Sequence, residues 1–169
     1  MCIDIQITSR MIMLSELILG RMTERCIVSI NGSPADVRKM DAMSLNRCKN
    51  IILLEFADVE SIEELQPSEI LPSREHIERV LKFADNNEPL TVHCHGGISR
   101  SSACAYLIGC MRLKDPNKAI KLLDETVHYP NGLILKLGAE ILGNNDILKV
   151  AEDWKSRSLD KMIAAGVFA

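Results

Sequence analysis

The sequence predicts an α/β domain with a mostly parallel central sheet of four or five strands flanked by helices, and an all-helical C-terminal third. Over the first hundred or so residues, short apolar segments alternate with helical ones, and only helical patterns follow Ser101. The segment "NIILLEFA" is predominantly apolar and β-branched at its start, as is typical of a strand buried on both faces of a parallel sheet. A chain of 169 residues with 47% hydrophobic content suits one core. We therefore expect residues 1–169 to form a single domain.

The N-terminal elements follow from periodicity. Ile3, Ile5 and Ile7 alternate as in a strand, and "RMIMLSELILG" predicts a helix that ends at Gly20. "RCIVSI" is a second short strand, closed by the turn-like "NGSP". Residues 35–50 have no clear period, and we expect them to be irregular or weakly helical.

The middle of the chain contains the next two strands. "NIILLEFA" stops at Asp58, and residues 59–72 form a long loop, a kind of segment that is often functional. Ser73 can cap a helix that runs to about Phe83. "LTVHC" is then a further strand, and residues 101–113 are so uniformly small or apolar that they predict a buried helix.

The C-terminal third contains only helical patterns. Asp115 and Pro116 cap a new helix, because proline at the first helical position loses no hydrogen bond. The turn "YPNG" leads to "LILKLGAEILG", and "NDILKVAEDWKSRSLDKMI" is a terminal amphipathic helix.

Composition limits the possible partners. The net charge of −3 and pI near 5.8 give no basic footprint for nucleic acid or an acidic membrane, so any anion site must be local. The first 21 residues are interrupted by Asp4, Arg10 and Glu16, and they predict neither a signal peptide nor a membrane span. The six cysteines are irregularly spaced with no Cys-x-x-Cys pair, which indicates reduced thiols in a cytoplasmic protein, without disulfides or structural zinc.

The stretch "LTVHCHGGISRS" combines a strand, a glycine-containing loop and the start of a buried helix. A helix N-terminus offers unpaired N–H groups to an anion, and glycines let successive amides turn inward around it. Arg100 adds a planar fork that can grip two phosphoryl oxygens. The residues expected to contact a phosphate are His95, Gly96, Gly97, Ile98, Ser99 and Arg100.

Cys94 ends the strand that leads into this loop. A thiol beside cations at a helix N-terminus ionises readily, so we expect a thiolate at neutral pH. A cysteine followed six residues later by an arginine is, by itself, only weak evidence for a functional site. The adjacent His93, the glycines and Ser101 directly after the arginine make a purely structural explanation much less attractive.

"HCHGGISRS" resembles the His-Cys-x5-Arg-Ser/Thr signature of the cysteine-dependent protein tyrosine and dual-specificity phosphatases. Flanking segments over roughly residues 50–143 also look like the compact bacterial members. The resemblance implies a phosphatase-like fold and hydrolysis of phosphoric monoesters through a phosphocysteine on Cys94. It further implies that Arg100 holds the phosphoryl oxygens, Ser101 assists the departing sulfur and His93 supports the loop. It implies no metal and no cofactor.

The family also needs a general acid, and Asp58 is our candidate. It follows a strand that, if parallel to "LTVHC", emerges at the same sheet edge as Cys94. Glu60 and Glu63 lie farther into the loop and remain alternatives, while Glu55 sits inside the strand.

Other functions stay open at this point. A central loop disfavours the low-molecular-weight tyrosine phosphatases and arsenate reductases, and Asp58 disfavours the rhodanese-like proteins. A phosphoprotein-binding module without catalysis would keep Arg100 and need no reactive thiol. The lysine-free "HGGIS" favours phosphotyrosine-type monoesters, with dual-specificity or small-molecule substrates as alternatives. Cys104 and Cys110 fit core packing better than a redox role, and the oligomeric state is not predicted.

Overall fold

A computed structural model describes residues 3–164 of the chain. Four strands form one sheet in the order β1-β4-β2-β3, and all three pairings are parallel. The strands are β1 (Ile5–Ser9), β2 (Cys26–Asn31), β3 (Asn50–Glu55) and β4 (Leu90–Cys94). The helices are α1 (Arg10–Ile18), α2 (Pro34–Ser44), α3 (Arg74–Phe83), α4 (Arg100–Leu113), α5 (Pro116–Ala119), α6 (Gly132–Leu142) and α7 (Asp146–Ala164). The predicted α/β class, with four parallel strands, is confirmed.

The sheet separates two apolar cores. Helices α1 and α2 enclose a small one, and α3, α4, α6 and α7 enclose a larger one. Alternating strand residues contribute to each, as the pleat requires. The small core is built on Met13, Leu17, Met22, Ile27 and Met40, and the large one includes Phe56, Val92, Tyr106, Leu107, Ile134 and Trp154.

Of the two expectations for residues 35–50, irregular or weakly helical, the structure shows a helix over the first part, because α2 is a regular helix of 11 residues. The Ser33 hydroxyl accepts a hydrogen bond from the Asp36 N–H, and Pro34 occupies the first helical turn. The helix buries only Met40 and Ser44, so its sequence carries almost no apolar period. Ser33 and Pro34, which we interpreted as part of the turn "NGSP", are the N-cap and the first residue of this helix.

Helix α4 is the centre of the large core. Its residues from Arg100 to Cys110 are all buried, and the Tyr106 hydroxyl donates to the Ile147 carbonyl at 3.1 Å. The loop of residues 95–99 joins the end of strand β4 to this helix, so the helix N-terminus lies at the carboxyl edge of the sheet. Within residues 3–164, no helix combines the length and the apolarity needed to cross a bilayer.

Candidate active site

The Cys94 thiol lies at the base of the loop between β4 and α4. Its sulfur accepts a hydrogen bond from the Gly97 N–H at 3.3 Å and lies 3.2 Å from the Ser101 hydroxyl oxygen. Cys94 is 1% exposed, so a ligand must enter the loop to reach the sulfur. Strand register places Ser9, the last residue of β1, opposite Cys94.

The loop is folded against the junction of β1 and α1. Gly97 has φ +75°, and a Cβ atom there would stand 2.7 Å from Ser9 N and from the Thr8 carbonyl carbon. The Arg10 N–H donates to the His95 carbonyl at 3.2 Å. The junction therefore forms the back wall of the loop, and only glycine fits at position 97.

Arg10 also supports the loop through its side chain, a role that sequence reasoning missed. Its guanidinium donates to His95 Nδ1 at 2.6 Å and forms an ion pair with Asp36. The hydrogen bond from Arg10 holds the pKa of Asp36 below its ordinary value. The first helical turns of α1 and α2 are thus tied to the loop. The His95 ring is occupied by its contact with Arg10.

Arg100 is a nearly buried cation, 6% exposed. Its Nη1 donates to the Phe56 carbonyl at 2.9 Å, while its Nε has no hydrogen-bond partner. The nearest carboxylate oxygen, Oδ2 of Asp58, is 3.6 Å from that Nε. A buried charge with an open donor is costly unless an anion satisfies it. The guanidinium therefore favours anion binding at this edge.

Asp58 is the one of the three candidate acids that contacts the loop. Its Oδ1 accepts hydrogen bonds from the Ser99 hydroxyl at 2.7 Å and from Asn131 Nδ2 at 3.1 Å. Glu60 instead accepts from the Gly132 N–H at 2.7 Å, at the start of α6. Glu63 is exposed on a 3-10 turn, where hydrogen bonds from its own backbone and from a serine lower its pKa.

The arrangement is suited to a tetrahedral oxyanion. The Gly97 N–H and the Ser101 hydroxyl lie against the Cys94 sulfur. Arg100 begins the helix that follows the loop, and the Asp58 carboxyl group lies beside Arg100. Such a site can stabilise negative charge on several oxygens and exchange a proton at its edge. Within residues 3–164, no group of three or more histidine, cysteine, aspartate or glutamate side chains is placed to hold a metal ion.

Solved structures share this architecture. Against DUSP15 the TM-score is 0.56 at 18% identity, covering 92% of this chain and 93% of that one. Against Tk-PTP in its active form the TM-score is 0.51 at 14% identity, covering 80% and 86%. Against PTPMT1 in complex with PI(5)P it is 0.50 at 13% identity, covering 90% and 91%. No family model matches the sequence, and no curated protein is significantly similar to it.

The chain has the fold of the cysteine-dependent phosphatases. At these low identities the likeness concerns the fold, and the roles of individual residues depend on the geometry described above. The predicted phosphatase-like fold is thereby confirmed.

The other cysteines of this phosphatase fold lie away from the loop opening. Cys104 and Cys110 are buried on α4, and burial raises the pKa of both thiols, that of Cys110 to about 12. Cys26 and Cys48 also have raised pKa values because of burial. All five cysteines within residues 3–164 are free thiols, and Cys2 lies outside the described residues.

Asn131 is the second contact residue that sequence reasoning missed. It belongs to "YPNG", which we interpreted as a turn, and it is 2% exposed. Its N–H donates to the Ser99 carbonyl at 3.3 Å, and the Tyr129 N–H donates to the Ile98 carbonyl at 3.0 Å. The segment before α6 is therefore docked on the outer side of the loop.

His93 is fully buried beneath the loop, and neither ring nitrogen has a hydrogen-bond partner. Burial lowers its pKa from 6.5 to about 4, opposed by the Cys94 backbone and reinforced by Arg10 and Arg100. The ring is therefore neutral at physiological pH.

This pKa predicts a specific pH dependence of stability. Unfolded His93 takes up a proton near pH 6.5, whereas the folded ring does so only near pH 4. The free energy of unfolding should fall as the pH drops through this window, by up to about 3 kcal/mol from this group. Proton NMR, with the resonance assigned by His93→Gln, should show a neutral ring down to about pH 4. A midpoint near 6.5 would contradict the prediction.

Gly97→Ala should collapse the loop geometry, because the new methyl group meets the backbone of β1 at a positive φ. We expect a loss of about 1–3 kcal/mol of stability and tungstate binding at least about tenfold weaker by calorimetry. Gly96→Ala is the matched control, since a Cβ there makes only ordinary contacts with the Ile98 side chain at 3.6 and 3.7 Å. Equal behaviour of the two variants would show that the close approach is unimportant.

Proposed function

We propose that the chain is a phosphatase that hydrolyses phosphoric monoesters through a phosphocysteine on Cys94. One observation carries the proposal: the Cys94 sulfur lies against the Gly97 N–H and the Ser101 hydroxyl, and the same loop leads into the helix that begins at Arg100. Asp58 lies at the rim of that loop, against Ser99 and Arg100. A simple anion-binding site needs neither a buried thiol nor a carboxyl group beside the arginine.

In the first step the Cys94 thiolate attacks phosphorus. A sulfur–phosphorus bond forms while the bond to the ester oxygen breaks, and Asp58 gives its proton to the departing oxygen. Arg100 and the loop amides stabilise the charge on the three equatorial oxygens. The products of this step are an alcohol or phenol and the phosphocysteine.

In the second step water attacks the phosphocysteine. The Asp58 carboxylate accepts a proton from the water as the new phosphorus–oxygen bond forms and the sulfur–phosphorus bond breaks. The Ser101 hydroxyl, 3.2 Å from the sulfur, donates a hydrogen bond to the leaving thiolate. Inorganic phosphate departs, and Asp58 is again protonated for the next cycle.

We propose phosphotyrosine-type monoesters as the preferred substrates. Ile98 and Tyr129 are 45% and 39% exposed and adjacent through their backbones, so the loop has apolar side chains beside it that suit an aryl group. The loop contains no lysine for a second phosphate. Dual-specificity or small-molecule hydrolysis is the alternative, and its support is the structural likeness to DUSP15 and to PTPMT1, which was solved with PI(5)P.

Replacement of the nucleophile tests the mechanism. The wild-type protein should hydrolyse para-nitrophenyl phosphate, and Cys94→Ser should lower kcat at least about a thousandfold while retaining tungstate binding. Mass spectrometry after rapid acid quenching should find one phosphoryl group on Cys94 of the wild type. Cys48→Ser should keep full activity. Cys48 is half-buried, and its thiol donates a hydrogen bond to the Ser44 carbonyl. Tungstate binding by a wild type without turnover would support the phosphoprotein-binding module instead.

Matched peptides test the substrate class. We expect kcat/KM to be at least about tenfold higher for a phosphotyrosine peptide than for the same peptide with phosphothreonine. Equal rates would refute tyrosine selectivity and favour dual specificity. A higher rate on PI(5)P than on either peptide would favour a small-molecule substrate.

A further inference from the structure

The Asn131 side chain is nearly buried, and its hydrogen bonds fix its orientation. Its Nδ2 donates to Asp58 Oδ1 at 3.1 Å and to the Val59 carbonyl at 3.2 Å. Its Oδ1 accepts from the Ile134 N–H at 3.1 Å. A flipped amide would set oxygen against two acceptors and nitrogen against a donor, so only one orientation satisfies all three contacts.

Asn131 joins three separate segments of the chain at one carboxyl group. Its backbone N–H donates to the Ser99 carbonyl, and the Ser99 hydroxyl donates to the same Asp58 oxygen. The loop after β3, the loop before α4 and the start of α6 thus form a closed ring of hydrogen bonds. Rotation of the Asp58 carboxyl group would break two of them.

This ring distinguishes the two oxygens of Asp58. Oδ1 accepts two hydrogen bonds, so both of its lone pairs are occupied. Oδ2 accepts no hydrogen bond from the described residues, and the Arg100 Nε with which it forms an ion pair lies 3.6 Å away. A proton on Asp58 therefore belongs on Oδ2, the oxygen on the side where Arg100 would hold the phosphoryl group.

We propose that Asn131 is a positioning residue for the general acid, an inference that rests on the proposed function. Its amide holds Oδ1 so that the proton on Oδ2 faces the leaving oxygen in the first step. A general acid acts only within hydrogen-bond reach of the atom it protonates, so a freely rotating Asp58 would transfer its proton less efficiently.

Helix capping alone does not account for Asn131. The Oδ1 atom caps α6, but serine caps about equally well and would leave no amide reaching Asp58. Glu60 also binds the first turn of α6 through the Gly132 N–H. The two donor contacts of the buried Nδ2 are therefore additional to what the helix start requires.

The test uses aryl phosphates whose leaving groups differ in basicity. A good leaving group such as para-nitrophenolate departs with little protonation, whereas phenolate needs the acid. Asn131→Ser keeps a cap and removes the amide, and Asn131→Asp keeps the size and the cap oxygen should the serine variant fail to fold. Asn144→Ser is the matched control, because the Asn144 side chain accepts from the Asp146 N–H at the start of α7, remote from the loop.

We expect Asp58→Asn to lower kcat/KM for phenyl phosphate by about a hundredfold and Asn131→Ser by about tenfold. Each loss should be smaller for para-nitrophenyl phosphate, because its leaving group departs with less protonation. Asn131→Ser should add no further loss to Asp58→Asn, and Asn144→Ser should match the wild type.

An equal loss on every ester, or an additive loss in the double variant, would show that Asn131 acts only through structure and would overturn the inference alone. A wild type that hydrolyses no aryl phosphate would instead refute the proposed function, and the inference with it.

Discussion

The architecture of the site depends on one buried guanidinium. Arg100 starts the central helix of the large core, so its charge is held at the sheet edge and cannot turn to solvent. The Phe56 carbonyl satisfies Nη1, and Asp58 approaches Nε without closing a hydrogen bond. Arg100 is therefore a nearly buried cation whose Nε makes an ion pair with Asp58 but no hydrogen bond, an arrangement that favours a bound anion.

The two layers of helices make different contributions to this preference. The large core fixes the axis of α4, and the smaller core fixes the junction of β1 and α1 against which Gly97 packs. Arg10 connects that junction to α2 through Asp36. The loop is thus held from both faces of the sheet.

Whether a site residue could be predicted from the sequence depends on how far it lies along the chain from the residues it contacts. Cys94 and Arg100 belong to one continuous strand–loop–helix segment, so local sequence patterns were enough to identify them as candidate site residues. Asp58 required one further argument, that parallel strands end at a common edge, and the structure brings it to the loop. Its role as an acid stays a prediction, as do the roles of Ser101 and His93.

Arg10 and Asn131 could not be found in this way. Each lies far from Cys94 in sequence, and each has a sufficient local explanation as a residue at a helix start or in a turn. Only the tertiary structure shows that the Arg10 side chain also contacts His95 and that the Asn131 side chain also contacts Asp58. Helix α2 could be expected only as a weakly helical segment for a related reason, since a helix that buries so few side chains leaves little trace in the apolar pattern.

The burial of the remaining cysteines has a chemical consequence for Cys94. A cysteine thiolate that peroxide can reach becomes a sulfenic acid, and a nearby second thiolate can trap it as a reversible disulfide. The other four cysteines within residues 3–164 all have raised pKa values and stay protonated. A sulfenic acid on Cys94 would thus find no resolving thiolate among them, and its rescue before irreversible over-oxidation would fall to small thiols from solution.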